Sequence, residues 1–398
     1  MDQLKSEATP NSVITSWLKE YGRVFGYFIG EIPYIVVNDL DMLKEMSIAK
    51  ILLSLKLTNT SIDLRYLSGT FHVFTNRPDM FVNMKPLNKT VIHLRDKRWK
   101  EVRSFITPTF SSGKIKLMTS IVDKKVDVAV DVVTKKAESN EMFDMYELVQ
   151  GLTLDVIADC ALAMKTHCQE NQRIFLYATF RYAHNKAADY AIMFPFVETI
   201  MCFVCNYLTA GQMTKLIVDS VKTAVAARRK NPEIKSMDIL QMMLDKSDLQ
   251  YLDQVFSESL RYYPPVTGFV FRKCSEDHRV GSITVPKGAT VLAPVWDIHH
   301  DPQYWPDPWK FDPDRFSLEN KTSINSMAYM PFGIGRRNCV GARFAQLEAK
   351  LAIFRLVKKF KFVSCEKTDD PLPLICPTVI INPANGIWLR AIPRDPEI

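Results

Sequence analysis

The stretch Phe332-Gly333-Ile334-Gly335-Arg336-Arg337-Asn338-Cys339-Val340-Gly341 constrains this chain more than any other. Gly333, Gly335 and Gly341 permit a tight turn and a close approach of backbone to a flat ligand. Beyond it Phe344, Leu347, Leu351 and Phe354 recur at steps of three, four and three, the spacing of one helix face. Cys339 therefore falls just before a helix N-terminus, where the macrodipole and free N–H groups favour a thiolate. A thiolate held this way suits haem iron, and it pushes electron density toward bound dioxygen. A buried structural cysteine after a glycine turn is the competing reading of the same spacing.

The rest of the chain supplies the material for a large core. Of its 398 residues 47% are hydrophobic and 24% charged, which argues against disorder, collagen-like repeats and a small disulfide scaffold. The net charge of +7 is too diffuse to imply nucleic acid. Eight cysteines are sparse for this length, and Met1–Glu7 forms no apolar signal region. Each thiol is thus expected to be buried, metal-bound or reactive rather than in a structural disulfide. No uncharged apolar run reaches the roughly 18–20 residues that span a bilayer. The nearest, Thr199–Thr214, contains several polar residues.

Local pattern gives the order of elements. Val24–Ile29 and Tyr34–Val37 flank Gly30-Glu31-Ile32-Pro33 and predict a hairpin. From Lys97 to about Ile239 the texture is helical, with apolar residues at three- and four-residue steps in Asp123–Ala137 and Phe143–Ala161. Further helical texture runs from Ile174 to Arg228-Arg229-Lys230 and stops at Asn231-Pro232. After Pro264 the chain turns to Pro, Gly, Asp and aromatics. A second hairpin is expected over Ile283–Val291, coil from His299-His300 to Phe316, a helix from near Gly341, and a closing hairpin over Val379–Ile392 turning at Asn385-Gly386. Residues 1–398 read as a single domain, mainly α with small β-sheets.

The ten-residue stretch matches Phe-Gly-x-Gly-x-Arg-x-Cys-x-Gly without a gap, and it resembles the haem-binding loop of the cytochrome P450 family. Glu258-Ser259-Leu260-Arg261 resembles the family's Glu-x-x-Arg helix, and Pro313-Asp314-Arg315-Phe316 the segment whose arginine completes a Glu–Arg–Arg cluster. Trp99 and Arg103 resemble the Trp-x-x-x-Arg helix that contacts a haem propionate, and Arg272 matches another propionate-binding position. Asn76-Arg77-Pro78, Thr107–Lys114 and Tyr251–Phe256 carry a finer match, to the microsomal branch that includes thromboxane synthase. The resemblance implies a cytochrome P450-like fold and a haem b held by Trp99, Arg103, Arg272, Phe332, Arg337 and Cys339, with Cys339 as the iron's axial thiolate. It implies a monooxygenase that inserts one oxygen atom from O2 into a lipophilic small molecule. Electrons would come from NADPH-cytochrome P450 reductase, which could dock on Lys97, Arg98, Lys100, Arg336 and Arg343. The implied location is the cytosolic face of the endoplasmic reticulum membrane.

Three departures from the family pattern bear on that expectation. The chain begins after the region where microsomal members carry a membrane anchor. Residues about 51–69 stand as an insertion. Asp238–Leu244 runs almost directly into Tyr251-Leu252-Asp253, so the long distal helix is missing between about 246 and 250 and the fold is expected to be incomplete. Ala210-Gly211-Gln212-Met213-Thr214 imitates that helix's oxygen-activating motif, with Met where the acid belongs. No residue is therefore assigned proton delivery. The alternative function is a truncated, non-catalytic chain that binds haem poorly or not at all. Cys202 and Cys205 read as two apolar thiols, His299-His300 as a coil feature, and Tyr190–Leu208 as core, with shallow membrane insertion as its second reading.

Overall fold

The computed structural model describes residues 10–29, 31–47, 72–78, 89–162, 165–170, 246–268, 270–376 and 380–394. The first hairpin forms as expected. Strand β1 (Val24–Ile29) pairs antiparallel with β2 (Ile32–Val37), and helix α1 (Pro10–Tyr21) lays Trp17 against Phe25 and Tyr27. Strand β2 pairs in parallel with β7 (Thr290–Leu292), and β7 pairs antiparallel with β4 (Phe271–Lys273), giving the order β1-β2-β7-β4.

The other two hairpins differ from expectation. Strand β6 (Ile283–Val285) pairs backward with β5 (His278–Val280) across Gly281-Ser282, not forward with β7. Val280 and Val285 are wholly buried by that pairing, and Pro286, which has no N–H to donate, ends the strand. At the C-terminus, β10 (Asn382–Pro383) pairs with β9 (Leu374–Ile375), whereas β11 (Trp388–Pro393) joins β8 (Phe360–Ser364) and β3 (Phe143–Asp144). The turn at Asn385-Gly386 thus links two sheets. The Asp144 carboxylate holds it there, accepting the backbone N–H groups of Ile387 at 2.8 Å and Tyr146 at 2.9 Å.

The helices build a second core beside the sheets. Helices α2 (Leu40–Ser47), α3 (Asp96–Ile106), α4 (Ser112–Glu138) and α5 (Met145–Leu162) come first, followed by α6 (Lys246–Tyr262), the short α7 (Val295–His299) and α8 (Ala342–Lys359). Val122, Val126, Val130 and Val133 of α4 pack with Leu148, Leu152 and Val156 of α5 and with Leu351, Ala352 and Leu356 of α8. The sheet-side core holds Val37, Leu43, Met46, Phe74, Val291, Ile298, Trp305 and Ile334. Residues 332–341 therefore run from one core to the other, with Ile334 rooted in the first and α8 in the second. Arg355 fastens α8 to Asp123 and Asp127 of α4, and Lys350 fastens it to Asp253 of α6.

The buried stripe of α8 is Glu348, Leu351, Ala352 and Leu356, rotated from the stripe that periodicity predicts; Phe344, Leu347 and Phe354 are half-buried. A carboxylate lies inside the stripe: burial pushes the Glu348 pKa up, and Thr153 of α5 opposes that shift in part. The expectations for 51–69, Cys202 and Cys205, Tyr190–Leu208, Ala210–Thr214 and Asp238–Leu244 fall outside the described residues. Among the described residues, no helix is long and apolar enough to cross a membrane.

Candidate functional site

The loop before α8 is fixed by its backbone. Gly333 and Gly335 adopt left-handed φ values of 74° and 67°, and a side chain at Gly335 would run into the Ser47 carbonyl at the end of α2. The Asn338 N–H donates to the Gly335 carbonyl at 3.1 Å, and the Cys339 N–H donates to the Phe332 carbonyl at 2.8 Å. The loop doubles back, leaving Cys339 exposed three residues ahead of α8.

Helix α3 and strand β4 bring cationic side chains to this loop, which supplies a third of its own, Arg337. Trp99 and Arg103 lie one turn apart on α3, and Arg103 donates from Nη1 to the Asn338 carbonyl at 2.9 Å and from Nη2 to Asn338 Oδ1 at 3.0 Å. Arg337 stacks on buried Trp99, its guanidinium 3.7 Å from the ring centroid. Its three nitrogens reach the Thr75 carbonyl at 2.9 Å, the Leu94 carbonyl at 3.1 Å and Asn76 Oδ1 at 3.2 Å. Arg337 is thus a brace between separate chain segments. From strand β4, Arg272 donates to the Ile334 carbonyl at 3.3 Å and to its neighbour's carbonyl, Phe271, at 2.7 Å. All six residues singled out from the sequence, Trp99, Arg103, Arg272, Phe332, Arg337 and Cys339, lie on or against one loop.

Arg77 is the residue for which sequence reasoning gave no role. It donates to the Arg337 carbonyl at 3.4 Å, and the bridge between Asn76 and Lys273 sets it beside the strand of Arg272. The signal was the quoted triplet Asn76-Arg77-Pro78, but only the pairing with β4 aims it at the loop.

These guanidinium groups are crowded and partly dehydrated. Burial first, then repulsion from Arg77 and Arg337, pushes the Arg272 pKa down to about 9. Burial and Arg77 likewise bring Arg337 down to about 9, against an opposing pull from Asp96. Arg77 falls to about 10 through burial and Arg103, and Arg103 is also lowered by burial; the charge of Cys339 opposes both shifts. A lowered pKa in a cation means that folding disfavours the charged form. The cluster is a surplus of partly buried positive charge, and among the described residues Arg272 Nε has no hydrogen-bond partner. Such a surplus suits a ligand that brings carboxylates, and Cys339 at the same loop offers a thiolate to a metal. The donor set therefore fits haem b, whose two propionates and iron need both features.

Behind the loop, the expected Glu–Arg–Arg cluster is assembled. Arg261 donates from Nε and Nη2 to the two oxygens of Glu258, each at 2.8 Å, and both side chains are fully buried. Arg315 Nε lies 3.5 Å from Glu258 Oε1, and the Asp312 N–H donates to the same oxygen at 2.9 Å. Arg261 also reaches the His299 carbonyl at 3.0 Å. His299 and His300 are not coil: His299 ends α7 and His300 caps it. The Met330 N–H donates to His299 Nε2 at 3.0 Å and Nδ1 lies 3.2 Å from the Arg261 carbonyl, so both ring nitrogens are engaged. Burial pushes its pKa down to about 3, so the ring is a neutral structural group. Lys97, Arg98, Lys100, Arg336 and Arg343 are all exposed.

The sequence model of the cytochrome P450 family matches residues 1–248 and 241–390. The chain belongs to the cytochrome P450 family, haem-thiolate monooxygenases that bind haem b through a cysteine thiolate. Among its relatives, cytochrome P450 3A16 of Mus musculus is 27% identical over 459 aligned positions, covering 96% of this chain and 86% of the relative. Cytochrome P450 3A31 of Mesocricetus auratus is 26% identical over 456 positions, covering 95% and 86%. Cytochrome P450 3A1 of Rattus norvegicus is 27% identical over 455, again covering 95% and 86%. Each alignment is longer than the 398-residue chain, so each contains positions for which this chain has no residue.

Proposed function

We propose that this chain is a haem-thiolate monooxygenase in which Cys339 is the axial ligand and Arg77, Arg103 and Arg272 hold the propionates. The observation that carries the reading is the convergence of three chain segments, each bearing arginine, on the loop of Cys339. Arg337 and Trp99 brace the loop, and Phe332 orients Cys339 by accepting its N–H. Haem, when bound, supplies activation of O2 and insertion of one oxygen atom into a lipophilic small molecule. The exposed basic residues Lys97, Arg98, Lys100, Arg336 and Arg343 offer an acidic NADPH-cytochrome P450 reductase a docking face. Location at the endoplasmic reticulum membrane, with peripheral membrane contact, belongs to the same reading.

A specific observation also favours the second reading, a truncated, non-catalytic chain that binds haem poorly or not at all. The family match comes in two blocks that meet at 241–248, where the distal helix is expected to be missing. A spectrum followed by a turnover assay separates the readings. The haem-reconstituted chain, reduced and exposed to carbon monoxide, should show a strongly red-shifted Soret band that disappears in Cys339→Ala. No such band in the parent chain would refute the haem-thiolate reading. A band without substrate oxidation in the presence of reductase would leave the non-catalytic reading standing.

A further inference from the structure

A cavity of about 350 Å³ lies behind the Cys339 loop, between α6, α8 and the 316–329 segment. Small-molecule sites typically occupy roughly 300–1,000 Å³. Four aromatic rings wall it, from Phe256, Phe316, Tyr329 and Phe332. Phe316 and Tyr329 already form a tilted pair with centroids 5.0 Å apart, so this corner exists before any ligand enters. The Tyr329 hydroxyl is committed to the Ser257 carbonyl at 3.1 Å, so the wall presents ring faces and edges rather than a free donor.

The rim supplies the charge. Asp253 lines the cavity, but its carboxylate is paired with Lys350. Lys321 lines it too, is exposed, and has no carboxylate partner among the described residues. Among the described residues the rim thus keeps one uncompensated cation next to an aromatic interior. None of the four arginines nor Cys339 contributes to the lining; Phe332 alone is shared with the site above.

We propose that this cavity is a second binding site, for a small aromatic anion such as an aryl carboxylate or aryl sulfonate. The ring packs among the four aromatic side chains and the anion meets Lys321. The occupant touches Phe332, the residue whose carbonyl holds the Cys339 N–H.

The test is equilibrium dialysis of naphthalene-2-sulfonate against the purified chain, repeated after haem is added, with 2-naphthol as the neutral counterpart. Saturable one-to-one binding of the sulfonate is expected in both states. Lys321→Glu should weaken the sulfonate by roughly fivefold, attraction at an exposed pair giving way to repulsion of similar size, and leave 2-naphthol unchanged. Ser326 is exposed at the rim, so Ser326→Trp should block both compounds by filling the mouth. Lys321→Gln serves as the milder variant if Lys321→Glu lowers the melting temperature. Absence of saturable binding overturns the proposal. So does binding that neither variant alters, a Lys321 effect equal for both compounds, or displacement by haem, which would place the probe in the haem site.

Discussion

Glu258→Gln is the most demanding perturbation that this architecture offers. The Glu258 carboxylate accepts two hydrogen bonds from Arg261 and one from the Asp312 backbone, and it faces Arg315 at 3.5 Å. Neither Glu258 nor Arg261 is exposed at all. A glutamine keeps the volume but replaces one acceptor with an NH2 donor pointing at other donors. It also strips the buried guanidinium of its counter-charge, leaving the one amide oxygen and the carbonyls of His299 and Lys310 as its acceptors. Breaking a buried pair from one side costs about 3–5 kcal/mol. Against a total stability of roughly 5–15 kcal/mol, that is a large fraction. Urea unfolding followed by far-UV circular dichroism should show a lower midpoint at unchanged slope. Arg261→Met should lose a similar amount, and the double variant less than the sum of the two, because the pair acts as a unit. A loss below about 1 kcal/mol in Glu258→Gln, or strict additivity in the double variant, would refute the claim that a desolvated ion pair holds this region.

Gly335→Ala should cost about 1–3 kcal/mol from the left-handed φ alone, and more from the collision with Ser47, and it should abolish haem loading measured by Soret absorbance. Arg272→Met should raise the melting temperature of the haem-free chain, by removing a dehydrated cation repelled by Arg77 and Arg337, while weakening haem retention in a transfer assay to apomyoglobin. Asp297 is bonded to Thr15 of α1, and burial pushes its pKa up to about 7 from 3.8. Its contribution is complete below about pH 4 and is lost as pH rises through about 7, so Asp297→Asn should be stabilising at pH 8 and neutral near pH 4 in thermal melts. Arg390→Gln breaks only an exposed contact to Glu366 and should change the urea midpoint by less than about 1 kcal/mol.

The amino-acid sequence by itself determined what depends on neighbours a few positions apart. The helix after Gly341, the valine ladder of α4, the β1–β2 hairpin and the Glu258–Arg261 pair all follow from three-, four- or two-residue spacing, which the backbone enforces locally. The Cys339 loop was legible for the same reason: its glycines and cysteine are contiguous, and the resemblance they carry brought Trp99, Arg103 and Arg272 with them.

Only the tertiary structure decided what depends on contacts across hundreds of residues. Whether β6 pairs with β5 or β7, and β11 with β10 or β8, turned on buried valines and on the Asp144 carboxylate, not on the local alternation that both pairings satisfy. Arg77 entered the site through a bridge to Lys273, Arg337 became a brace through acceptors more than two hundred positions away, and Phe256, Phe316 and Phe332 met around one cavity. Periodicity says which face a residue shares with its near neighbours. What comes to lie against that face is set by how the two cores close, and there burial and charge balance decide.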